Sequence, residues 1–315
     1  MTGCTTSSAK KVDSKYVVAS LEKGNKTKNI FADNLYKDII DNSSNNSTVF
    51  NAVLQNLVDQ KFPVNDDMKE DAATIIKQIK SAYKSNYGDN YKDSLNQALT
   101  SAGYKNLSEY RQKMIKQIQY ANFLLDYIDD HFDDVFNDYY QQCAPKYVSL
   151  IKISVSDTSS PTDDETSKLN EVKELISNTD KSFGDIAQDY SNDSTSSKKG
   201  SLGIVDSKDT SGIANSYGKD VFNAIEALSE GQVSDVITGD NGYYFVKVTS
   251  TDKKTLKKEL KKTDIDSPLL AYDDYLQYVV YNSYKINYKD KDIKKIVQEV
   301  VNKALEERKT ERGEA

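Results

Sequence analysis

Histidine and cysteine are the side chains best suited to acid–base, nucleophilic or metal-binding chemistry near neutral pH, and this chain of 315 residues has few of them. It contains one histidine, His131, and two cysteines, Cys4 and Cys143. His131 lies in the acidic stretch DYIDDHFDDVF, where we predict a solvated or ion-paired surface group. A zinc site needs several nitrogen or sulfur ligands close together, and there is no Gly-rich phosphate-binding loop. We therefore expect no metal ion, no cofactor and no catalytic centre built on His131.

The charge balance excludes one class of partner. The chain has 49 acidic and 42 basic residues, which give a net charge of −7, whereas a protein that binds nucleic acid presents a basic face to the phosphates. The one basic run, KKTLKKELKK at 253–262, includes Glu259 and is typical of a solvated helix face. We therefore expect no nucleic-acid partner.

Both ends of the chain carry the apolar periodicity of helices. Asn106, followed three positions later by Glu109, predicts the start of the longest helix. Its apolar residues then recur at steps of three and four as far as Ile128. Two further apolar edges, in 267–284 and 290–307, predict C-terminal helices. Neither helical part has an obvious core alone, so we expect the two ends to pack together.

The middle of the chain has a different pattern. KYVSLIKISV at 146–155 is rich in β-branched residues and predicts a strand. Two helices, a strand, a helix around YGKDVFNAIEAL and two strands ending at Val248 are predicted to follow. The order β-α-α-β-α-β-β is typical of a small α+β unit.

The N-terminal residues are too polar to pack into a core. A strand is predicted from Tyr16, then a turn at Gly24-Asn25 and a helix from about Phe31. No run of eighteen apolar residues occurs, so the sequence predicts no membrane-spanning segment. The opening MTGCTTSSAKK resembles a bacterial lipoprotein reduced to its lipobox, in which the cysteine is lipidated. Two interpretations stay open: Cys4 is the lipidation site, or it is a fortuitous cysteine.

Two sequence blocks carry a resemblance to a known family. SFGDIAQDYSNDSTSSKKGSLG at 182–203 and LSEGQVSDVITGDNGYYFVKV at 228–248 resemble, in order and spacing, the paired signature of the parvulin-type peptidyl-prolyl isomerases. With its helical flanks, the chain resembles the PrsA-type extracytoplasmic foldase lipoproteins of Gram-positive bacteria. The resemblance implies an α+β fold class: a mainly helical chaperone domain, formed by both ends of the chain, with an inserted parvulin-like α+β domain.

The resemblance also implies a domain division of the chain. We expect a lipoprotein tether at 1–15, a helical N-terminal chaperone part at 16–144, a parvulin-like domain at 145–250, and C-terminal helices at 251–315 that pack with the N-terminal part.

Parvulins use two histidines and an acid or cysteine beside an apolar proline groove, and the resemblance allows these positions to be located here. The three polar positions fall at Leu150, Ser201 and Tyr244, so the usual catalytic set is substituted. Leucine cannot donate or accept a hydrogen bond. The expected peptide-binding positions of the groove are Tyr217, Val221, Phe222, Tyr243 and Tyr244.

Three functions are weighed from this sequence. The first, which we favour, is a membrane-anchored foldase that holds newly secreted, unfolded proteins and whose parvulin-like domain has weak or no isomerase activity. The second is an active peptidyl-prolyl isomerase with an atypical site. The third is a lipid-anchored surface binding protein or adhesin. The favoured function implies an extracytoplasmic location at the cell membrane, anchored through Cys4, and leaves a homodimer open.

Overall fold

The computed structural model describes residues 11–23, 26–178, 180–260 and 264–314. Contacts divide the chain into two units, of which one combines 1–119 with 277–315 and the other comprises 120–276. The domain boundaries predicted from the sequence stay a prediction.

The first unit begins with a β-hairpin and continues as helices. Its elements, in chain order, are β1 Lys11–Val12, β2 Lys15–Lys23, β3 Lys26–Phe31, α1 Ala32–Ile40, α2 Asn46–Lys61, α3 Asp66–Tyr87, α4 Tyr91–Ser101 and α5 Leu107–Asp130, whose second half lies in the other unit. β2 pairs antiparallel with β1 and with β3. The predicted strand from Tyr16 is present, but β3 was not predicted, because KTKNIF lacks an alternating apolar pattern. The predicted turn at Gly24-Asn25 lies outside the described residues.

The second unit contains a sheet and the helices that cover it. Its elements are α6 Phe132–Cys143, β4 Lys146–Ser154, α7 Asp163–Asn178, α8 Phe183–Tyr190, β5 Ser201–Val205, α9 Ile213–Tyr217, α10 Lys219–Ala227, β6 Ile237–Gly239, β7 Gly242–Ser250 and α11 Lys253–Leu260. The chain then passes through α12 Leu276–Ser283, most of which belongs to the first unit, and ends with α13 Lys291–Glu311.

The longest predicted helix starts as the sequence indicates. The Asn106 side chain accepts a hydrogen bond from the backbone N–H of Glu109 at 3.0 Å. The Glu109 carboxylate reaches back to the backbone N–H of Lys105 at 2.7 Å, one residue before the partner expected in a capping box. Two of the donors near the start of α5 are thereby satisfied.

The core of the first unit joins both ends of the chain. Phe50 of α2 is fully buried and stacks on Tyr278 with ring centroids 4.9 Å apart. It also meets the ring of Tyr281 edge-on at 5.1 Å. A second cluster packs α3 against α5 through four buried side chains: Met68, Ala72, Ile115 and Ile118.

The sheet of the second unit is antiparallel, in the order β5-β4-β7-β6. Helices cover both of its faces, which explains why β4 carries apolar residues on both sides. On one face α9 and α10 pack over Val148 and Leu150. On the other, α7 and α8 pack over Ile151 and Ile153. Successive strand residues point to opposite faces, so each cluster takes every second side chain.

Two close contacts with backbone carbonyl oxygens hold this unit together. Gly200 has a φ of +75°, and a Cβ there would lie 2.4 Å from the carbonyl oxygen of Leu150, so only glycine fits. Lys146 of β4 donates through Nζ to the carbonyl oxygens of Ile225, Glu226 and Leu228 at 3.0, 2.6 and 3.1 Å. This lysine therefore caps the C-terminal end of α10, where a positive charge is favoured.

A buried carboxylate shapes the loop between β5 and α9. Asp206 is fully buried and accepts hydrogen bonds from the Tyr139 hydroxyl at 2.8 Å, from the backbone N–H of Lys208 at 3.0 Å and from that of Thr210 at 3.2 Å. A buried charge needs such partners. The loop is thereby fixed just before the helices that form one wall of the candidate site.

Two predicted helices differ in extent from the observed ones. The helix around YGKDVFNAIEAL is present as α10, which begins at Lys219 because Gly218 before it adopts a φ of +100°, and Tyr217 is the last residue of the separate helix α9. The helix predicted over 267–284 is regular only in α12. It is preceded by a 3-10 turn at Pro268–Leu270 and by Asp273, whose side chain accepts from the backbone N–H of Tyr275 at 2.9 Å.

The α+β fold class predicted from the sequence is confirmed: helical segments flank a unit with the parvulin-like order of strands and helices. The lysines of α11 lie at the surface while Leu256 and Leu260 are buried, which confirms the solvated face over the described part of the basic run. Within the described ranges, no helix has the length and apolarity needed to cross a membrane.

Candidate functional site

The first and third of the family-equivalent positions lie in one apolar cluster. Leu150 is 0% exposed and Tyr244 is 3% exposed. Both pack with Val148, Val221 and Val246 on the face of the sheet that α9 and α10 cover. Leu150 pairs with Val246 in the ladder, and Tyr244 pairs with Lys152, two residues further along β4. The two side chains therefore lie side by side on neighbouring strands.

Ser201 lies away from this cluster. It is paired with Ser149 rather than with Leu150, because the register between β4 and β5 shifts between Val148 and Ser149. Its hydroxyl donates to the Tyr147 hydroxyl at 2.9 Å. A shift of one residue moves a side chain to the other face of a sheet. Of the three positions, the structure brings together Leu150 and Tyr244 only.

A cavity of about 460 Å³ opens beside Tyr244. It is lined by residues 214–221, which include all of α9 except its first residue, by 237–241 and by Tyr244. The rings of Tyr217 and Tyr244 meet edge-on, with centroids 6.2 Å apart and an interplanar angle of 81°. Such edge-to-face pairs are a favoured aromatic geometry. Val221, fully packed against the same cluster, completes the apolar side of the cavity.

The two phenols at this cavity are held by hydrogen bonds. The Tyr244 hydroxyl donates to Oδ1 of Asn241 at 2.6 Å. The Tyr217 hydroxyl lies 3.4 Å from Oδ1 of Asp193. Burial, followed by the charge of Asp193 and the hydrogen bond to it, raises the pKa of Tyr217 to about 12. Burial, followed by the charges of Asp193 and Asp240, raises the pKa of Tyr244.

Both phenols are therefore neutral at physiological pH and offer polar hydroxyl groups without charge. The half-buried Lys152 places its ammonium group 5.7 Å from the centroid of the Tyr244 ring, within the range of a cation–π interaction. Asp193 is itself fixed, because it accepts from the backbone N–H and the hydroxyl of Thr195 at 2.9 and 2.7 Å. The arrangement can hold a polar or aromatic group, but it contains no histidine for proton transfer.

Two of the expected peptide-binding residues are outside the lining of this cavity. Phe222 packs at the edge of the Leu150 cluster. Tyr243, next to Tyr244 in β7, points to the opposite face and packs with Ile151 and Ile153. Its hydroxyl lies 3.4 Å from the carbonyl oxygen of Thr158. The structure thus brings Tyr217, Val221 and Tyr244 together at one site and directs Tyr243 elsewhere.

Three contributors to this site were missed by sequence reasoning. Asp193 lies in the block at 182–203 and Asn241 in the block at 228–248, so both belong to the pattern that carries the resemblance, but no role was predicted for either. Lys152 follows Leu150 by two positions, and the period of a strand would have placed it on the same face.

His131 and Cys143 are not among the residues that line this cavity. His131 is exposed, stacks on Tyr127 with centroids 4.1 Å apart, and has Nδ1 2.9 Å from the Tyr127 carbonyl oxygen. The prediction of a surface histidine is confirmed. Cys143 is buried and forms no disulfide. Cys4, the expected lipidation site, lies outside the described residues.

Comparison with known proteins supports the resemblance over the second unit. Residues 150–250 match the family model described as "Rotamase: PPIC-type PPIASE domain". A foldase protein PrsA of Staphylococcus epidermidis is 32% identical over 141 residues, which cover 42% of this chain and 41% of that protein. One from Staphylococcus aureus is also 32% identical over 141 residues, with the same coverage. The chain thus matches about two fifths of the length of these curated relatives.

Solved structures give a looser match over a longer stretch. The crystal structure of PrsA from Bacillus subtilis aligns with a TM-score of 0.40 and 21% identity, over 90% of this chain and 98% of that one. The foldase protein PrsA from Streptococcus pneumoniae aligns with a TM-score of 0.40 and 19% identity, over 89% and 99%. The predicted similarity to PrsA-type parvulin foldases is confirmed by the family match and the curated relatives.

Proposed function

Residues 150–250 form a PPIC-type peptidyl-prolyl isomerase domain in a relative of PrsA foldases, and from that premise we propose that the chain is an extracytoplasmic foldase that holds unfolded, newly secreted proteins. In this proposal the parvulin-like domain binds peptide at the cavity beside Tyr217, Val221 and Tyr244. Its isomerase activity is weak or lost, because the polar set of the family is substituted at Leu150, Ser201 and Tyr244.

The observation that carries the loss of activity is the packing of Leu150. Rotation about an X-Pro bond is slow because amide resonance must be broken, and a catalyst must bind the twisted amide better than the planar one. At the position where parvulins have a histidine, this chain has a fully buried leucine among valines. That side chain offers a twisted amide no hydrogen bond.

A second candidate, residual isomerase activity, is supported by the hydroxyl groups at the cavity. Tyr217 and Tyr244 present neutral phenols beside Val221. Each phenol has one O–H, which can donate to an amide nitrogen or oxygen once it turns away from Asp193 or Asn241. A proline ring on the apolar side and a phenol on the polar side would then favour the twisted amide.

We further propose that the chain is anchored to the outer face of the cell membrane through a lipidated Cys4, and that a homodimer is one form in which it acts. A single acyl chain binds a membrane only weakly, so a durable anchor requires more than one. Mass spectrometry of Cys4 in membrane-extracted protein tests this placement: an unmodified thiol in the native protein contradicts it.

Two assays on the full chain separate the candidates. The first follows cis-to-trans isomerisation of a short proline peptide, and the second follows aggregation of a chemically denatured test protein. We expect that the chain suppresses aggregation. We also expect that the isomerisation rate of the peptide stays within about twofold of the spontaneous rate, which corresponds to a time of tens to hundreds of seconds. A clear acceleration that Tyr217→Phe or Tyr244→Phe removes establishes the second candidate. If the full chain does not change the aggregation of the test protein, the holding function is refuted.

A further inference from the structure

A pocket in the helical unit combines an apolar floor with a basic rim. It has a volume of about 480 Å³ and lies between α3 and the start of α5. Ile76 and Leu107 contribute apolar surface to its floor, while Lys77, Lys80 and Arg111 stand at its rim. Lys77 and Lys80 are exposed. The peptide cavity described above belongs to the other unit, so this is a separate site.

The positive charge here stands out against a chain whose net charge is −7. From Ala72 to Gly88 the sequence has three lysines and no acidic residue. From Tyr110 to Leu125 it has one arginine, two lysines and again no acidic residue. Along α3 no carboxylate lies at the level of the pocket, and on α5 the one carboxylate near it, that of Glu109, accepts from the backbone N–H of Lys105 at 2.7 Å. Among the residues that the structure describes, Lys77 and Lys80 form no ion pair.

Arg111 is only partly satisfied. Its Nη2 donates to the backbone carbonyl oxygen of Lys69 at 3.2 Å. Its Nε is buried and has no hydrogen-bond partner in the described part of the chain. Buried polar groups are normally paired. Arg111 therefore brings a fixed positive charge to the lining of the pocket, and a guanidinium group attracts carboxylates.

We propose that this pocket binds segments of unfolded client proteins in which an apolar side chain is flanked by acidic residues. The proposal rests on the holding function proposed above and names the class of segment preferred. An aliphatic or aromatic side chain covers Ile76 and Leu107, and the adjacent carboxylates pair with the two lysines and Arg111. A phosphate polymer would satisfy the cations but would leave the apolar floor uncovered, so the combined lining favours a peptide.

The test uses the full chain and dye-labelled, proline-free peptides. One peptide carries a Leu-Phe pair flanked by glutamates; in matched peptides the glutamates are replaced by glutamine, or the Leu-Phe pair by serine. Fluorescence anisotropy gives the dissociation constants. The acidic apolar peptide is expected to bind most tightly, and raising the salt concentration reduces its advantage because exposed charges are screened.

A double variant and a matched control locate the site. Lys77→Gln with Lys80→Gln is expected to weaken binding of the acidic apolar peptide about three- to tenfold, the range of two partly exposed ion pairs. Lys92→Gln with Lys113→Gln removes the same charge from exposed positions outside the pocket and is expected to leave binding unchanged. Both variants alter only exposed side chains, so the fold is retained.

Several results overturn the inference. If the Lys77→Gln, Lys80→Gln variant binds the acidic apolar peptide as tightly as the parent chain, the pocket is not the binding site. The same follows if the control variant loses as much affinity as this double variant. If the serine peptide binds as tightly as the Leu-Phe peptide, or polyphosphate or anionic lipid vesicles displace both equally, the pocket is a simple anion site. If denatured test proteins are held without preference for acidic segments, this inference fails and the holding function stands. If no peptide binds and aggregation is not suppressed, both fail.

Discussion

Placing a histidine at position 150 tests the proposal that the buried Leu150 replaces a polar group of the parvulin site. Leu150 is 0% exposed and packs against Val148, Val205 and Val246. Leu150→His removes buried aliphatic contacts and places an imidazole with two ring nitrogens in a cluster whose one buried polar side chain, Tyr244, already donates its hydroxyl to Asn241. Losing the packing of a buried leucine costs about 2–5 kcal/mol when the side chain is truncated, and an unsatisfied buried polar group costs about 1–3 kcal/mol.

Because the imidazole fills part of the space left by leucine, the two costs do not add in full, and we expect the free energy of unfolding to fall by about 2–5 kcal/mol. Urea denaturation followed by far-ultraviolet circular dichroism measures this fall. Leu150→Met, which conserves volume, is the control and is expected to cost less than about 1.5 kcal/mol.

The same variant is not expected to gain isomerase activity. The Ser201 hydroxyl is bonded to Tyr147 and is paired away from position 150, so a histidine there has no polar neighbour from β5. If Leu150→His is as stable as the parent chain, the site is more open than the packing indicates. If it also accelerates proline isomerisation, the substitution at Leu150 alone explains the lost activity and the argument from Ser201 is wrong.

Three further predictions concern the frame of the site. Lys146→Met leaves the carbonyl oxygens at the end of α10 without their ammonium donor and should lower the free energy of unfolding by about 1–3 kcal/mol; the exposed Lys254→Met should change it by less than about 0.5 kcal/mol. Gly200→Ala places a Cβ against the Leu150 carbonyl oxygen in a left-handed conformation and should cost about 1–3 kcal/mol, so a neutral result would contradict the close approach. A difference titration at alkaline pH between the parent and Tyr217→Phe should show the missing phenol ionising near pH 12. Since this pKa is raised above its unfolded value of about 10, the parent should lose stability as pH rises from about 10 towards 12, and the variant should lose less.

Local pattern was sufficient for much of the fold. The helix that begins after Asn106 was predicted because its N-cap and its apolar spacing are both patterns of residues close together in the sequence. The strand at 146–155 was predicted because β-branched residues fill it. The second hairpin strand, Lys26–Phe31, was missed because its pairing with β2, and not its own composition, makes it a strand. The short helix α9, Ile213–Tyr217, was not predicted because five residues are too few to show a helical period.

The arrangement of the candidate site could not be predicted from the order of residues along the chain alone. The sequence alone determined the side chains at positions 150, 201 and 244, where the resemblance predicts the polar positions of the family, and a leucine cannot donate or accept a hydrogen bond in any fold. Only the tertiary structure decided that Leu150 and Tyr244 lie together while Ser201 does not. Leu202 is an extra residue in β5, between Gly203, which pairs with Val148, and Ser201, which pairs with Ser149, and this bulge turns the serine to the other face of the sheet. A bulge of this kind is set by the packing of whole strands and leaves no pattern in neighbouring residues.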